Sequence, residues 1–274
     1  MKAPFNSLLL SALALVLLSA CGSAPQPRLP AVQERAATTD KEARRALRDG
    51  DLPLARALFE QSLRLQQSLD NLPGVATATI NLASVYHGLK NDEMALRLLD
   101  GLLGEKLVPY PADMLAVASF RKAVILVDGN SQAAPAALDA AVQLCARSCG
   151  HAAGLSNLRA RMALNKKDYA AAAGFARQAA EEAGDNKEEL ANARRHSGTA
   201  AIALDQYGPA LQHFQAALDL DKQLGLPKRI APDLDGVAAA LDKLGRKDEA
   251  AAYARRAAAA HEANRAMVGI ATAQ

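Results

Sequence analysis

The chain has 274 residues, with 32 Lys and Arg against 29 Asp and Glu, a formal net charge of +3. Half of the residues are apolar, yet only 4% are aromatic, there is no Trp, and 63 are alanine. So even a charge balance excludes the basic footprint of a nucleic-acid binder, and the apolar share excludes wholesale disorder. With so little side-chain volume, close-packed helices are expected in place of one large core.

Lys2 is the only charge among the first 27 residues, and an apolar run from Leu8 to Ala20 follows it. That run is well short of the roughly 20 residues that span a bilayer. A basic start, a short apolar stretch and small residues at its end form the pattern of a secretory signal. Residues 1–20 are therefore read as a removable signal peptide. Leu18, Ser19, Ala20 and Cys21 are similar to the lipobox of bacterial lipoproteins. The resemblance implies diacylglycerol on Cys21, cleavage before it, and acylation of the new amino terminus. Acyl chains at about 0.8 kcal/mol per buried CH₂ would hold such a protein firmly on a membrane. Gly22 stands where an inner-membrane retention signal would have Asp, which implies the outer membrane, facing the periplasm. Pro25, Pro27 and Pro30 favour extended, solvated backbone, so residues 21–35 are expected to be a tether.

Residues 36–265 carry an internal repeat. Ala55, Ala95, Ala137, Ala172, Ala210 and Ala250 recur at gaps of 40, 42, 35, 38 and 40. Small or apolar residues follow at offsets of four and seven, such as Phe59 and Ser62, or Phe214 and Ala217. Those offsets mark one face of a helix. Twelve residues before the markers stand Ala43, Ala83, Ile125, Ala160, Gly198 and Ala238, small in five of six. A preceding helix is implied, whose small residue admits close approach. Short polar or Gly-containing turns separate the two, and Pro53, Pro135 and Pro209 sit in the first turn of the second helix, where a missing N–H costs nothing. Six helix hairpins are predicted, the third with two extra residues. Gly198, Tyr207, Ala210, Phe214 and Ala217 together resemble the tetratricopeptide repeat. The resemblance implies an all-α solenoid of about six hairpins, each burying its apolar face only against its neighbours. Residues 266–274 are expected to be a tail. The last helix, Lys247 to Arg265, is followed by no capping helix, so a homodimer contact there is an expectation.

Chemistry-bearing motifs are few. Cys145 and Cys149 are a possible disulfide, free thiols being the other reading. Gly150 between Cys149 and His151 breaks the haem-attachment pattern, and one His beside two Cys is too few ligands for zinc. His261-Glu262 begins a zinc-protease pattern, but Arg265 stands where the second His belongs. There is no phosphate-cradling Gly-rich loop and no nucleophile elbow. No metal, cofactor or catalytic residue is expected. The repeat resemblance implies partner contacts five and nine residues into each repeat: Ile80 and Ser84, Asn157 and Arg161, Arg195 and Thr199, and Asp235, with His87 and Asn192 flanking them. Arg161 and Arg195 are expected to form a cationic strip for a carboxylate, ordinary solvated arginines being the alternative. The expected function is a non-catalytic adaptor for envelope proteins. Its build is similar to pilotin lipoproteins and to lipoproteins that hold peptidoglycan enzymes. The alternative is a periplasmic ligand or glycan receptor, although few aromatics are available for sugar stacking.

Overall fold

A computed structural model describes residues 30–145 and 150–271. The signal peptide, Cys21, most of the tether, and Cys149 lie outside the described residues. Among those described there are twelve α-helices and no strand. They are α1 (Ala31–Asp49), α2 (Leu52–Ser68), α3 (Leu72–Gly88), α4 (Asp92–Gly104), α5 (Ala112–Asp128) and α6 (Ala134–Cys145), then α7 (Ala152–Asn165), α8 (Tyr169–Glu182), α9 (Lys187–Ala203), α10 (Tyr207–Leu224), α11 (Pro227–Lys243) and α12 (Lys247–Ala271). No described helix is long and apolar enough to cross a membrane.

The turn within each hairpin has one chemistry. A residue of positive φ ends the odd-numbered helix: Gly50, Lys90, Asn130, Lys167, Asp205 and Gly245. The next N–H then bonds to a carbonyl five residues back, as Asp51 does to Ala46 (3.0 Å), Asn91 to Tyr86 (2.9 Å) and Arg246 to Leu241 (3.0 Å). This arrangement satisfies carbonyls that the helix end leaves unpaired. In three of these turns the same residue then caps the even-numbered helix. The side chains of Asp51, Asn91 and Asp168 accept from the N–H groups of Leu54, Met94 and Ala171, which removes an orphan donor.

Each helix packs on its neighbours in sequence, and each odd-numbered helix also touches the next odd-numbered one, from α1 on α3 to α9 on α11. Even-numbered helices touch only their sequence neighbours. The odd helices therefore form the inner wall of an open α-solenoid, and the even helices its outer layer. Apolar burial is correspondingly divided into a string of small clusters. Phe59 packs with Ala43, Ala55 and Leu82, Leu99 with Ile80 and Ile125, and Phe214 with Ala210, Val237 and Leu241.

Three boundaries differ from the sequence reading. In the third hairpin the buried stripe of α6 is Ala134, Leu138 and Ala141, while Leu144 is 46% exposed. Its marker is thus Ala134 and not Ala137, and the fully buried inner-wall residue is Ala123, eleven residues before the marker where the other hairpins have twelve. The spacing becomes regular, 39 and then 38 residues, with no inserted pair. Alanine at almost every position of the segment hides which one faces inward. At the amino end, α1 starts at Ala31, inside the expected tether, with Pro30 at its cap position. At the other end α12 continues to Ala271 through the expected tail, in keeping with the high helix preference of alanine.

Glycine on the inner wall makes room for an aromatic wedge. A Cβ on Gly198 of α9 would lie 2.8 Å from the Phe214 ring, and one on Gly236 of α11 would overlap it outright. The ring is clasped between two glycines of successive inner helices. Gly174 of α8, in contrast, has open space where a Cβ would go. Gly236→Ala should therefore destabilise the chain by about 1–3 kcal/mol through overpacking. Gly174→Ala should stabilise it by about 1 kcal/mol through helix preference alone. Chemical denaturation followed by circular dichroism reads both, and shifts of the same sign would disprove the wedge.

Candidate functional site

The inner wall carries a seam of charged and amide side chains from α3 to α11. His87 of α3 places Nδ1 2.6 Å from Asp92 Oδ1 and Nε2 3.2 Å from Asp128 Oδ2. Asp128 of α5 also pairs with Arg161 of α7. Asn157 of α7 donates through Nδ2 to the Glu189 carbonyl at 2.9 Å and to its Oε2 at 2.8 Å. On α9, Asn192 Oδ1 accepts from Arg195 Nη1 at 3.0 Å and from Arg229 Nη1 at 2.6 Å, while Arg229 Nη2 reaches Glu188 Oε1 at 2.7 Å. Arg195 closes the seam, with Nε 2.7 Å from Asp233 Oδ1 and Nη2 on Asp221. Every link joins different helices or braces one that does.

Several expected contact residues are placed otherwise. Ile80 is 4% exposed and packs in the core beside Leu99 and Ile125, so it offers nothing to a partner. Ser84 is half-buried and donates to the Ile80 carbonyl of its own helix at 3.0 Å. Thr199 is exposed on the inner face of α9. Asp235 binds His261 Nε2 of α12 at 2.8 Å; it lies about 200° around α11 from Asp233 and faces outward. The cationic strip is corrected too. Arg161 and Arg195 are neither free nor merely solvated, because Asp128, Asp221 and Asp233 hold them. Cys145 ends α6 and is disulfide-bonded, while Cys149, its expected partner, lies outside the described residues.

Sequence register missed Arg121, Asp128, His196, Arg229 and the two acids of the Arg195 clamp. One signal was available: Asp221 falls seven residues after Phe214, on the stripe that otherwise holds Ala210, Phe214 and Ala217. A carboxylate on a buried stripe needs a buried partner. Four atoms of the seam remain without one. Arg121 Nε of α5, Asn157 Oδ1 and Arg161 Nε of α7, and Asp221 Oδ1 of α10 are buried and make no hydrogen bond. Arg121 has no ion pair among the described residues, and burial draws its pKa below the ordinary arginine value. His196 lies among Arg161, Arg195 and Arg229, and burial with those three charges pushes its pKa down to about 3. It is a neutral imidazole at physiological pH. No group of three or more His, Cys, Asp or Glu among the described residues could hold a metal.

Asp221 and Asp233 are both 0% exposed and share one guanidinium. Burial pushes Asp233 up to about 6, against the pull of Arg195, with the Asp221 carboxylate adding to the rise. A folded-state pKa above the unfolded value of 3.8 means that the fold binds this proton more tightly. Its stabilisation is complete below the unfolded pKa and is lost as pH rises through about 6. His196, with a lowered pKa, acts in the opposite direction: its stabilisation is present above 6.5 and fades as pH falls. The difference between parent and Asp233→Asn isolates the acid, since an amide oxygen can still accept from Arg195. The variant should gain on the order of 2 kcal/mol relative to the parent between pH 4.5 and 7.5, measured by urea denaturation. A parallel pair of pH profiles would rule out this assignment.

Comparison with known proteins bears on the fold. The family model described as "Tetratricopeptide repeat" matches residues 36–100, the first two hairpins. No curated protein matches the chain in sequence. Among solved structures, BtubC (BKLC) from P. vanneervenii is similar, with a TM-score of 0.60 and 16% identity over 86% of this chain and 93% of that one. The Rap protein complexed with Competence and Sporulation Factor has a TM-score of 0.55 and 16% identity over 85% of this chain and 67% of that one. Likeness at this identity is likeness of fold, and it extends the hairpin stack well past the segment matched in sequence. Residues 36–100 thus match the tetratricopeptide repeat in sequence, and the rest of the chain continues the same solenoid fold of stacked helix hairpins.

Proposed function

We propose that the chain is a non-catalytic adaptor, moored by lipid at Cys21 to the periplasmic leaflet of the outer membrane, whose inner wall holds an extended segment of an envelope protein. The observation that carries the wall's role is the cluster of unpartnered atoms on α5 and α7. Buried polar atoms are nearly always hydrogen-bonded, yet Arg121 Nε, Arg161 Nε and Asn157 Oδ1 are not. Two donors and one acceptor are the complement of a peptide unit, which brings a carbonyl and an N–H. A helix or a paired strand has already used those groups; an extended segment has them free. The Rap protein of similar fold, complexed with its factor, supports a solenoid of this build holding a partner. The membrane address rests on Leu18 to Cys21 and Gly22.

Two measurements test the two halves. A photo-crosslinking side chain at Thr199, on the inner face, should trap a specific partner in cell envelopes. The same group at the exposed outer residue Gln215 should not, and Asn157→Ala should reduce the Thr199 product. Equal products at both positions, or none at Thr199, would dismiss the inner wall. Separately, labelled palmitate should enter the parent chain and not Cys21→Ser, which should leave the membrane fraction. An unlabelled parent would end the lipoprotein reading without touching the groove.

A further inference from the structure

The arginines of the inner wall are largely consumed by the fold; a second group is not. On the far side of α9 from the seam, a cavity of about 460 Å³ opens between the outer helices α8 and α10. These helices do not touch each other, because outer helices splay where inner ones stack. The cavity is lined by Ala173, Ala180 and Ala201, whose short side chains leave the gap unfilled. Its polar lining comes from three helices and a turn: Arg177 and Glu181 of α8, Arg194 and Ser197 of α9, His213 of α10, and Gln206. None of these six side chains has a hydrogen bond or ion pair among the described residues. The volume lies within the range of small-molecule sites, about 300–1,000 Å³.

We propose that this outer cavity is a binding site for a small ligand carrying a carboxylate or phosphate group, held between Arg177 and Arg194. Two guanidinium groups on adjacent helices against one carboxylate give the cavity a net positive lining. Planar guanidinium offers paired N–H donors to two oxygens of such a group. Their freedom here contrasts with Arg161, Arg195 and Arg229, which are tied to chain carboxylates. Glu181 favours a ligand with an ammonium or hydroxyl beside its acidic group. Ser197 and Gln206 supply neutral donors and acceptors at the same mouth. The site is independent of whichever segment the inner wall holds.

His213 reports on occupancy. Burial, helped by the Arg194 charge, holds its pKa below the ordinary histidine value. The charges lining the cavity with it are Arg194 from α9 with Arg177 and Glu181 from α8; α11, the other helix packed on α10, contributes none. An anion seated beside the ring favours its charged form and raises that pKa. Two probes separate the chemical sources: inorganic phosphate, and glutamate as an amino-acid carboxylate. Each is titrated into the full chain by calorimetry, with the His213 ring followed by nuclear magnetic resonance across pH 5 to 8. At least one probe should bind below about 10 mM and raise the His213 pKa. Arg194→Ala and Arg177→Ala should each weaken that binding about tenfold or more at unchanged helical circular dichroism. Arg121→Ala on the inner wall should leave it unchanged. If neither probe moves His213, or if both outer-arginine variants bind as the parent does, the assignment is wrong.

Discussion

No hairpin in this chain is thick enough to bury its own apolar stripe, so each depends on contact with the next at the inner wall. That contact is made by residues with almost no side chain. Ala43, Ala83, Ala123 and Ala160 are fully buried at successive inner-helix positions, and Gly198 continues the row. Small residues bring helix backbones close, but they remove little apolar area from water, at roughly 25 cal/mol per Å². Stability is therefore distributed over interfaces in the manner of a one-dimensional stack. Wedges such as Phe59 and Phe214 supply most of the bulk that any one interface contains.

A wall built this way lacks apolar means of fixing how far one helix slides along the next, and polar groups supply them. Asp128 ties α3 to α7 across α5, and Arg195 draws the acids of α10 and α11 onto α9. Buried ion pairs add little net stability, because desolvation offsets the attraction. Their geometry is directional, however, and a slip of one helical turn would strand a buried charge. The seam thus sets register, while the alanines permit closeness. The Arg195 clamp is the extreme case: two carboxylates at 0% exposure share one cation, so one of them holds a proton up to about pH 6.

The architecture was legible because it is written in spacing. Positive-φ turns followed by a capping Asp or Asn appear in the sequence as Gly50-Asp51 and Lys90-Asn91, and the count of hairpins follows from the six recurring alanines. The third hairpin was misregistered because Ala133, Ala134, Ala136, Ala137, Ala140 and Ala141 present the same small side chain to every direction. The contact residues were less legible for a different reason. A position five or nine residues into a repeat fixes the direction of a side chain but not what meets it there. Ile80 points toward a neighbouring helix that covers it, and Arg195 points toward acids that come 26 and 38 residues later in the chain. Tertiary pairing of that kind leaves no local period. Asp221, alone on an apolar stripe, was the trace it did leave.

If the inner wall holds an extended segment as proposed, the two arginine populations also limit how long that segment can be. From α9 onward the inner wall is self-paired: Asn192, Arg195 and Arg229 satisfy one another and the nearby acids. The unpartnered donors stop at α7; beyond it the buried side-chain atom without a partner is an acceptor, Asp221 Oδ1 of the outer helix α10. Neighbouring inner helices stand roughly 8–10 Å apart, so the open stretch from α5 across α7 to the edge of α9 is roughly 20 Å long. At about 3.3 Å per residue of extended chain, that length takes about six residues. A longer partner would have to break the α9–α11 pairs, leaving buried charges exposed to an uncompensated site, or turn away from the wall. The seam that sets the register of the stack therefore also sets the footprint of what the stack can hold.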